Sequence, residues 1–339
     1  MVQCTVHSTG VPGATAQVIE QPEDELDGGV LDLRVDQLRF EAERVVSLQL
    51  GDPGGGVLPV WEPGAHIDVL LGNVVRQYSL CGDPADPLSY RIGVLREELS
   101  RGGSAYVHET LRPGDVVEVG GPRNHFQLAE DEEYLFVAGG IGITPILPMI
   151  AAAERRAAPW RLFYGGRSRS SMAFRAELAR YGERVEIRPE DEYGLLDLET
   201  ILAEPRPGIG VYVCGPEGLL QAVERRCEGW PLDALHVERF QASPRPDFEV
   251  DAPFVAVCQR SGREVAVPVG VTLLDALEAS GIRLANACRD GVCGSCEVAV
   301  LDGAIEHRDS VLSARERQQN DRMMACVSRA AGERIELDV

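Results

Sequence analysis

Three folded units in series are predicted: an antiparallel β-barrel, an α/β unit on a parallel sheet, and a small α+β unit at the C-terminus. Three observations predict them. Between about 30 and 128, short runs alternate apolar with polar residues and are separated by turn signals. From about 130 to 240, strand-like apolar runs alternate with helical patterns, as in a parallel sheet wrapped by helices. After about 250, short strands and two capped helices surround a loop that holds Cys288, Cys293 and Cys296. A chain of 339 residues is long enough for two or three domains.

Residues 1–29 are polar, end in Glu23-Asp-Glu-Leu-Asp27-Gly-Gly, and are expected to form a flexible N-terminal extension without chemistry. The barrel is expected over 30–128, with strands at Leu31–Val35, Val46–Leu50, His66–Leu70 and Tyr90–Val94. Turns at Asp52-Pro-Gly54, Pro63-Gly64 and Pro113-Gly-Asp115 separate them. Arg76-Gln-Tyr78-Ser79 sets a cation, an aromatic ring and a hydroxyl along one strand, which are what a flavin ring needs. By itself it reads as an ordinary exposed strand. Gly102-Gly103-Ser104 precedes an amphipathic segment, Tyr106–Leu111, where free N–H groups and Arg96 suit a phosphate; a surface loop would look the same.

The parallel-sheet unit is expected over 129–241. Its strands are placed at Tyr134–Ala138, Arg161–Tyr164, Val185–Arg188, Val211–Cys214 and Leu235–Glu238. Helices are placed at Pro145–Arg155, Met172–Tyr181, Leu198–Ala203 and Glu217–Cys227. Ligands of such sheets gather at the C-terminal ends of the strands. Two glycine loops fall there: Gly139-Gly140-Ile-Gly142-Ile-Thr144-Pro145 and Cys214-Gly215-Pro216. Pro145 replaces the third glycine of the dinucleotide fingerprint, and a proline is tolerated at a first helical position. After the second strand, Gly165-Gly166-Arg167-Ser168-Arg169 offers no carboxylate for a ribose, and its arginines would suit the extra phosphate of NADPH. Tyr134–Ala153 carries no charge, but its glycines, Pro145 and Pro148 fit a strand, loop and helix rather than a membrane span.

A linker at 242–251 leads to the α+β unit at 252–339. Phe254–Val269 reads as two strands joined at Ser261-Gly262, and Thr272-Leu-Leu-Asp275 as a capping box, with Gly281 closing that helix. Asp302-Gly303 between Glu297–Leu301 and Ala304–His307 predicts a hairpin. Ser313-Ala-Arg-Glu316 opens a second helix. Four residues separate Cys288 from Cys293, two separate Cys293 from Cys296, and Cys326 follows after 29 more. This is the ligand spacing of a plant-type [2Fe–2S] centre, whereas zinc sites pair their ligands as close doublets. Gly291 and Gly294 supply the backbone freedom that such a loop needs.

The net charge of −21 excludes nucleic-acid binding and suits a basic patch on a protein partner, or simply keeps the chain in solution. Every basic residue is arginine, which excludes a lysine Schiff base and a Walker loop. The cysteines outside the cluster pattern (Cys4, Cys81, Cys214, Cys227, Cys258) are odd in number and scattered, which argues for a reducing, cytoplasmic setting. With no secretory signal and no span, the protein is expected to be soluble, with no membrane partner.

In this order the motifs resemble the phthalate dioxygenase reductase family, which includes vanillate demethylase reductases, over residues 30–339. The resemblance implies a flavin-binding barrel, an NAD(P)-binding domain and a ferredoxin-like (β-grasp) domain. It implies a [2Fe–2S] cluster on Cys288, Cys293, Cys296 and Cys326. FMN would be held by Arg76, Tyr78, Ser79, Gly93, Val94, Arg96, Gly102, Gly103 and Ser104, with Arg96 and Ser104 at its phosphate. The nucleotide would be met by Gly140, Gly142, Thr144, Pro145, Arg167, Ser168, Arg169, Cys214, Gly215 and Pro216. NADH is favoured by the resemblance, with NADPH left open. Cys214 would lie beside the nicotinamide, Ser79 and Cys214 would serve the reaction, and Glu238-Arg-Phe240, ending in Phe240, would close the domain and shield the flavin. Gly121-Pro-Arg-Asn-His-Phe126 also resembles that family. The implied activity is hydride transfer from NADH to FMN, then single electrons through the cluster to a separate terminal oxygenase, either a Rieske non-haem iron enzyme or a haem-thiolate monooxygenase. Two other classes are a stand-alone flavin or ferric reductase and a non-enzymatic iron–sulfur redox sensor; the latter leaves both glycine loops without a purpose.

Overall fold

The computed structural model describes residues 29–98, 100, 102–242 and 251–339; the expected N-terminal extension, apart from Gly29, lies outside them. The barrel consists of β1 (Val30–Ala42), β2 (Val45–Gly51), β3 (His66–Leu71), β4 (Val74–Ser79), β5 (Ser89–Leu95), α1 (Gly103–Glu109) and β6 (Val116–Arg123). The strands follow the order β4-β3-β6-β1-β2-β5, with every pairing antiparallel. An antiparallel bridge from Leu80 to Ile92 joins the two edges. Alternation drives this closure: Leu33 and Val35 of β1 turn inward onto Leu48, Ile67 and Ile92, while Asp32 and Arg34 stay outside the core. Each such side chain contributes about 1.5–3 kcal/mol by leaving water. Helix α1 begins three residues before the expected Tyr106, because Gly102, at φ 101, provides the turn into it.

The second unit runs β7 (Glu133–Gly139), α2 (Ile143–Arg155), β8 (Trp160–Gly166), α3 (Arg175–Leu178), β9 (Val185–Pro189), α4 (Glu190–Tyr193), α5 (Leu198–Ile201), β10 (Ile209–Cys214), α6 (Glu217–Arg226) and β11 (Leu235–Glu238). Its sheet is parallel throughout, in the order β11-β10-β7-β8-β9. The first strand is therefore central and the chain winds outward to both sides. The C-terminal end of β7 is the switch point at which such sheets open a ligand crevice. Two expectations need correction. Pro145 is the third residue of α2, not the first, since the helix opens at Ile143 with Gly142 as its cap; proline costs nothing there, because the first four helical N–H groups have no intrahelical partner anyway. The helix expected at Met172–Tyr181 is one α turn, Arg175–Leu178, followed by a 3-10 segment. It starts late because Phe174 is left-handed at φ 58, and Gly182 breaks the run at φ 58, ψ −130.

The third unit comprises β12 (Phe254–Cys258), β13 (Arg263–Val267), α7 (Leu273–Ala279), β14 (Glu297–Asp302), β15 (Ile305–Glu306), α8 (Ala314–Gln319), β16 (Arg322–Met324), β17 (Arg329–Ala330) and β18 (Arg334–Leu337). The five-stranded sheet β13-β12-β18-β14-β16 buries Phe254, Ala256, Ile335 and Leu337 against Leu273, Leu274 and Leu277 of α7. Both helix starts form as read: Thr272 and Ser313 each accept from the N–H three residues on, and Glu316 completes the second box. The hairpin at Asp302-Gly303 does not form. Strand β14 has β16 and β18 on its two edges, so β15 turns away to pair with β17. Asn320 fixes that turn, donating to the Gly303 carbonyl at 2.8 Å and accepting from the Ile305 N–H at 3.0 Å. Among the described residues no helix is long and apolar enough to cross a membrane.

Candidate functional site

Strands β7 and β10 lie side by side, which brings the two glycine loops into backbone contact. A Cβ on Gly142 would stand 2.3 Å from the Cys214 carbonyl oxygen, and one on Gly215 would stand 2.9 Å from the Gly139 Cα. Only glycine lets the loops close this tightly. Gly140 is different: it sits at φ 55 with nothing within 4 Å of its side-chain position, an open stretch of backbone at the strand end. The turn is held by Tyr164, whose hydroxyl donates to the Gly140 carbonyl at 3.0 Å, and by Thr144, whose hydroxyl donates to Ile141 at 3.0 Å. Thr144 and Pro145 are buried, and Pro216 packs on Gly139. This is the cradle that a nucleotide pyrophosphate over α2 requires.

The barrel reaches the same place. Ser79, at the end of β4, donates to Glu238 Oε2 at 3.5 Å, and the Cys214 thiol donates to the same oxygen at 3.7 Å. Cys214 and Glu238 are opposite each other at the ends of β10 and β11. The Glu238 residue is half-buried, but its carboxyl end lies enclosed, and burial pushes its pKa up to about 8. Burial, with the neighbouring Glu238, also raises the Cys214 thiol well above its ordinary value. Both groups therefore hold their protons at neutral pH.

On the barrel, the stem of Arg76 lies against Gly103, where a Cβ would stand 2.6 Å from the Arg76 Cγ. Arg76, Gly102, Gly103 and Ser104 are thus brought together. Ser104 accepts from the Glu97 N–H at 3.1 Å and donates to Ser100 at 3.0 Å. Arg96 is turned toward Glu109 at 2.6 Å and the Glu97 carbonyl at 2.7 Å. Tyr78 is half-buried and its phenol is raised by that burial. Gly93 abuts Thr144 and Phe174, so β5 meets the start of α2, while Val94 lies wholly in the barrel core. Phe240 is 41% exposed beyond β11.

The arginines after β8 are not free cations. Arg169 forms a two-point pair with Glu192 of α4, at 2.9 and 2.6 Å, and Arg167, largely exposed, lies 3.8 Å from Glu98. Ser168 caps the short turn that ends at Ser171. Helix α4 brings Glu190, Asp191 and Glu192 beside these arginines from the end of the next strand.

In the third unit Cys293, Cys296 and Cys326 are buried and Cys288 is partly so. Among the described residues no group of three or more His, Cys, Asp or Glu side chains is placed to hold a metal ion. The sulfurs instead meet around the loop, Cys288 with Cys293 and Cys326, and Cys296 with Cys326. Hydrogen bonds from the neighbouring thiols and from the Asp290 N–H, at 3.4 Å, depress the Cys288 thiol. The neighbouring thiols and burial raise Cys293 and Cys326 in turn. Four sulfurs gathered on one loop and its neighbour, with backbone N–H groups beside Cys288, suit an anionic iron–sulfur cluster. Gly291 (φ 73) and Gly294 (φ 75) are both left-handed, as the loop was expected to need. The loop also touches the barrel: His125 lies against Gly294 and His66 faces the Cys293 backbone. The other described cysteines, Cys81, Cys227 and Cys258, are buried and unpaired.

A 2Fe-2S iron-sulfur cluster binding domain model matches residues 256–331, and an oxidoreductase NAD-binding domain model matches residues 136–225. The phenoxybenzoate dioxygenase subunit beta of Ectopseudomonas oleovorans is 42% identical over 310 residues, 91% of this chain and 97% of that protein. The phthalate 4,5-dioxygenase oxygenase reductase subunit of Pseudomonas putida is 36% identical, over 93% of this chain and 99% of that protein. Among solved structures, phthalate dioxygenase reductase superposes with TM-score 0.67 at 33% identity, over 94% of this chain and 100% of that one. An intact type IV self-sufficient cytochrome P450 monooxygenase superposes with TM-score 0.87 at 43% identity; the match covers 91% of this chain and 41% of that protein. Fold and site together define an iron–sulfur oxidoreductase that takes electrons from a pyridine nucleotide. The chain belongs to the phthalate dioxygenase reductase family.

Sequence reasoning named Glu238 only within the stretch Glu238-Arg-Phe240 that closes the unit; its meeting with Ser79 and Cys214 was not expected, although it ends a parallel strand beside Cys214. His66 gave no such signal and His125 only that of the Gly121–Phe126 stretch, because each lies far in sequence from the cysteines it meets.

Proposed function

We propose that this chain is the NADH-dependent reductase component of an oxygenase system. The observation that carries the reading is one of continuity. The nucleotide cradle on β7 and β10 is joined to Ser79 of the barrel through Glu238 of β11, and the same barrel meets the cysteine loop at Gly294. When bound, FMN accepts a two-electron hydride and releases electrons singly to the cluster, chemistry that belongs to the cofactors. The protein's part is to place and insulate. Gly140, Gly142 and Gly215 let the pyrophosphate approach the start of α2, with Thr144, Pro145 and Pro216 shaping the turn. Arg76, Tyr78, Gly93, Val94, Arg96, Gly102, Gly103 and Ser104 hold the flavin. Cys214 and Ser79, bridged by protonated Glu238, orient the nicotinamide and the ring edge, and Phe240 screens them. Arg167, Ser168 and Arg169 border the adenosine; with Arg169 already held by Glu192, NADH is the better fit. Cys288, Cys293, Cys296 and Cys326 ligate the cluster.

Electrons leave for a terminal oxygenase, of Rieske non-haem iron or haem-thiolate type, in the cytoplasm. The acidic chain suits a basic docking face on that partner. An anaerobic titration with NADH, followed by absorbance and electron paramagnetic resonance, should bleach the flavin and then give a rhombic reduced-cluster signal. Chromatography of the flavin released by boiling should give FMN; recovery of FAD alone refutes that assignment. Cys326→Ala should keep flavin reduction and lose fast reduction of an external one-electron acceptor. Wild-type acceptor reduction in that variant would show that electrons leave by another route, as in a flavin or ferric reductase.

A further inference from the structure

The stretch Gly121–Phe126 resembles its family without a function attached, and the structure shows it at the contact with the cysteine loop. Its backbone is pinned on both sides. Asn124 donates to the Pro63 carbonyl at 3.0 Å and accepts from the Phe126 N–H at 3.0 Å. Gly64 lies so close that a Cβ would stand 1.9 Å from the Phe126 carbonyl oxygen. The turn therefore presents His125 on a rigid support. The ring lies in the space where Gly294 would carry a side chain, with His125 Nε2 2.1 Å from that Cβ position, and Gly294 is left-handed at φ 75. Gly294 stands between two of the loop's thiols, Cys293 and Cys296. Behind His125 is His66, ring centroids 6.0 Å apart and tilted 32°. His66 is 7% exposed, its Nε2 is buried without a hydrogen-bond partner, and it faces the Cys293 backbone. On its other side His66 pairs in register with Ser79 of the flavin strand.

We propose that His125, backed by His66, is the positioning contact that seats the cysteine loop on the barrel and so fixes the flavin-to-cluster path. This rests on the reductase reading given above. The contact is one of shape: a flat ring fills the notch that glycine leaves. Each transfer takes one electron from the reduced flavin and places it on the oxidised cluster, with no bond made. A loop displaced from the barrel slows that step alone, since the nucleotide unit meets the barrel elsewhere, at Ser79 and Gly93.

The test uses the full holoenzyme as His125→Ala and His125→Phe. Stopped-flow absorbance separates flavin reduction from cluster reduction, and hydrogen–deuterium exchange follows the peptide spanning 288–296. In His125→Ala, flavin reduction and bound iron should match wild type. Cluster reduction should slow several-fold, because the electron must then cross a wider gap, and the loop peptide should exchange faster. His125→Phe should restore both. Wild-type cluster reduction and loop exchange in His125→Ala, equal impairment of the two variants, or loss of bound iron in His125→Ala would each overturn the proposal. If wild-type protein shows no NADH-driven flavin or cluster reduction at all, it is the reductase reading that fails.

Discussion

Replacing Gly142 by alanine isolates the contact between the two nucleotide loops. Gly142 has φ −61 and ψ −2, a conformation any residue adopts, so the substitution carries no backbone strain. Its whole effect is steric. The new Cβ would meet the Cys214 carbonyl oxygen at 2.3 Å, the Cys214 carbonyl carbon at 2.5 Å and the Gly215 nitrogen at 2.7 Å, all of them backbone. Ordinary contact needs about 3.5 Å or more, so the loops must part by about 1 Å. Overpacking of this kind costs about 1–3 kcal/mol. The separation falls where the pyrophosphate and nicotinamide are proposed to sit, so NADH should bind about tenfold more weakly, the equivalent of about 1.4 kcal/mol. Gly262→Ala, in the turn between β12 and β13, is the control: its φ of 66 imposes about 1–2 kcal/mol of left-handed strain, nothing lies within 4 Å to clash with, and it stands outside the nucleotide loops. Urea unfolding and a fluorescence titration with NADH, run on both variants, separate the two effects. Gly262→Ala should lose stability and keep NADH affinity within about threefold, whereas Gly142→Ala should lose both. Wild-type affinity in Gly142→Ala would refute the claim that this contact shapes the nucleotide site.

Glu238 predicts a pH dependence. Its pKa is raised to about 8 by burial. Between the ordinary carboxylate range and about 8, the unfolded chain releases a proton that the folded chain keeps. Its contribution to stability is therefore complete in acid, falls by about 1 kcal/mol per pH unit as pH rises, and levels off above about 8. Glu238→Gln should remove that slope, read as the difference in urea midpoint between the variant and wild type at about pH 5 and about pH 8. Arg329 is 4% exposed and donates to the carbonyls of Val271, Ala252 and Pro268 at 2.8, 3.1 and 3.2 Å, with its guanidinium over the Phe254 ring. Arg329→Met should orphan those acceptors and cost the third unit about 3 kcal/mol, seen as cluster absorbance lost at lower urea while flavin absorbance persists.

The order of the units, the parallel character of the second sheet, the glycine loops and the cysteine quartet were all legible in the chain, because each depends on local periodicity or fixed spacing. Helix boundaries were less so. Phe174 and Gly182 cut the Met172–Tyr181 pattern short through left-handed backbone that apolar spacing does not reveal. The Asp302-Gly303 hairpin failed for a non-local reason, since β14 already had partners on both edges, one of them β18 from the far end of the chain. Sequence also could not weigh Arg169 correctly, because Glu192 reaches it from 23 residues away.

By itself the sequence marked candidate residues for each cofactor, since a thiol triplet, a glycine turn or an alternating strand is written in neighbouring positions. Only the tertiary structure decided which of them meet. Ser79, Cys214 and Glu238 share one oxygen though they come from the barrel and from two strands of the next unit. His125 finds Gly294 across the boundary between barrel and cysteine loop. Contacts between units are set by packing and excluded volume over the whole chain, and no local pattern encodes them.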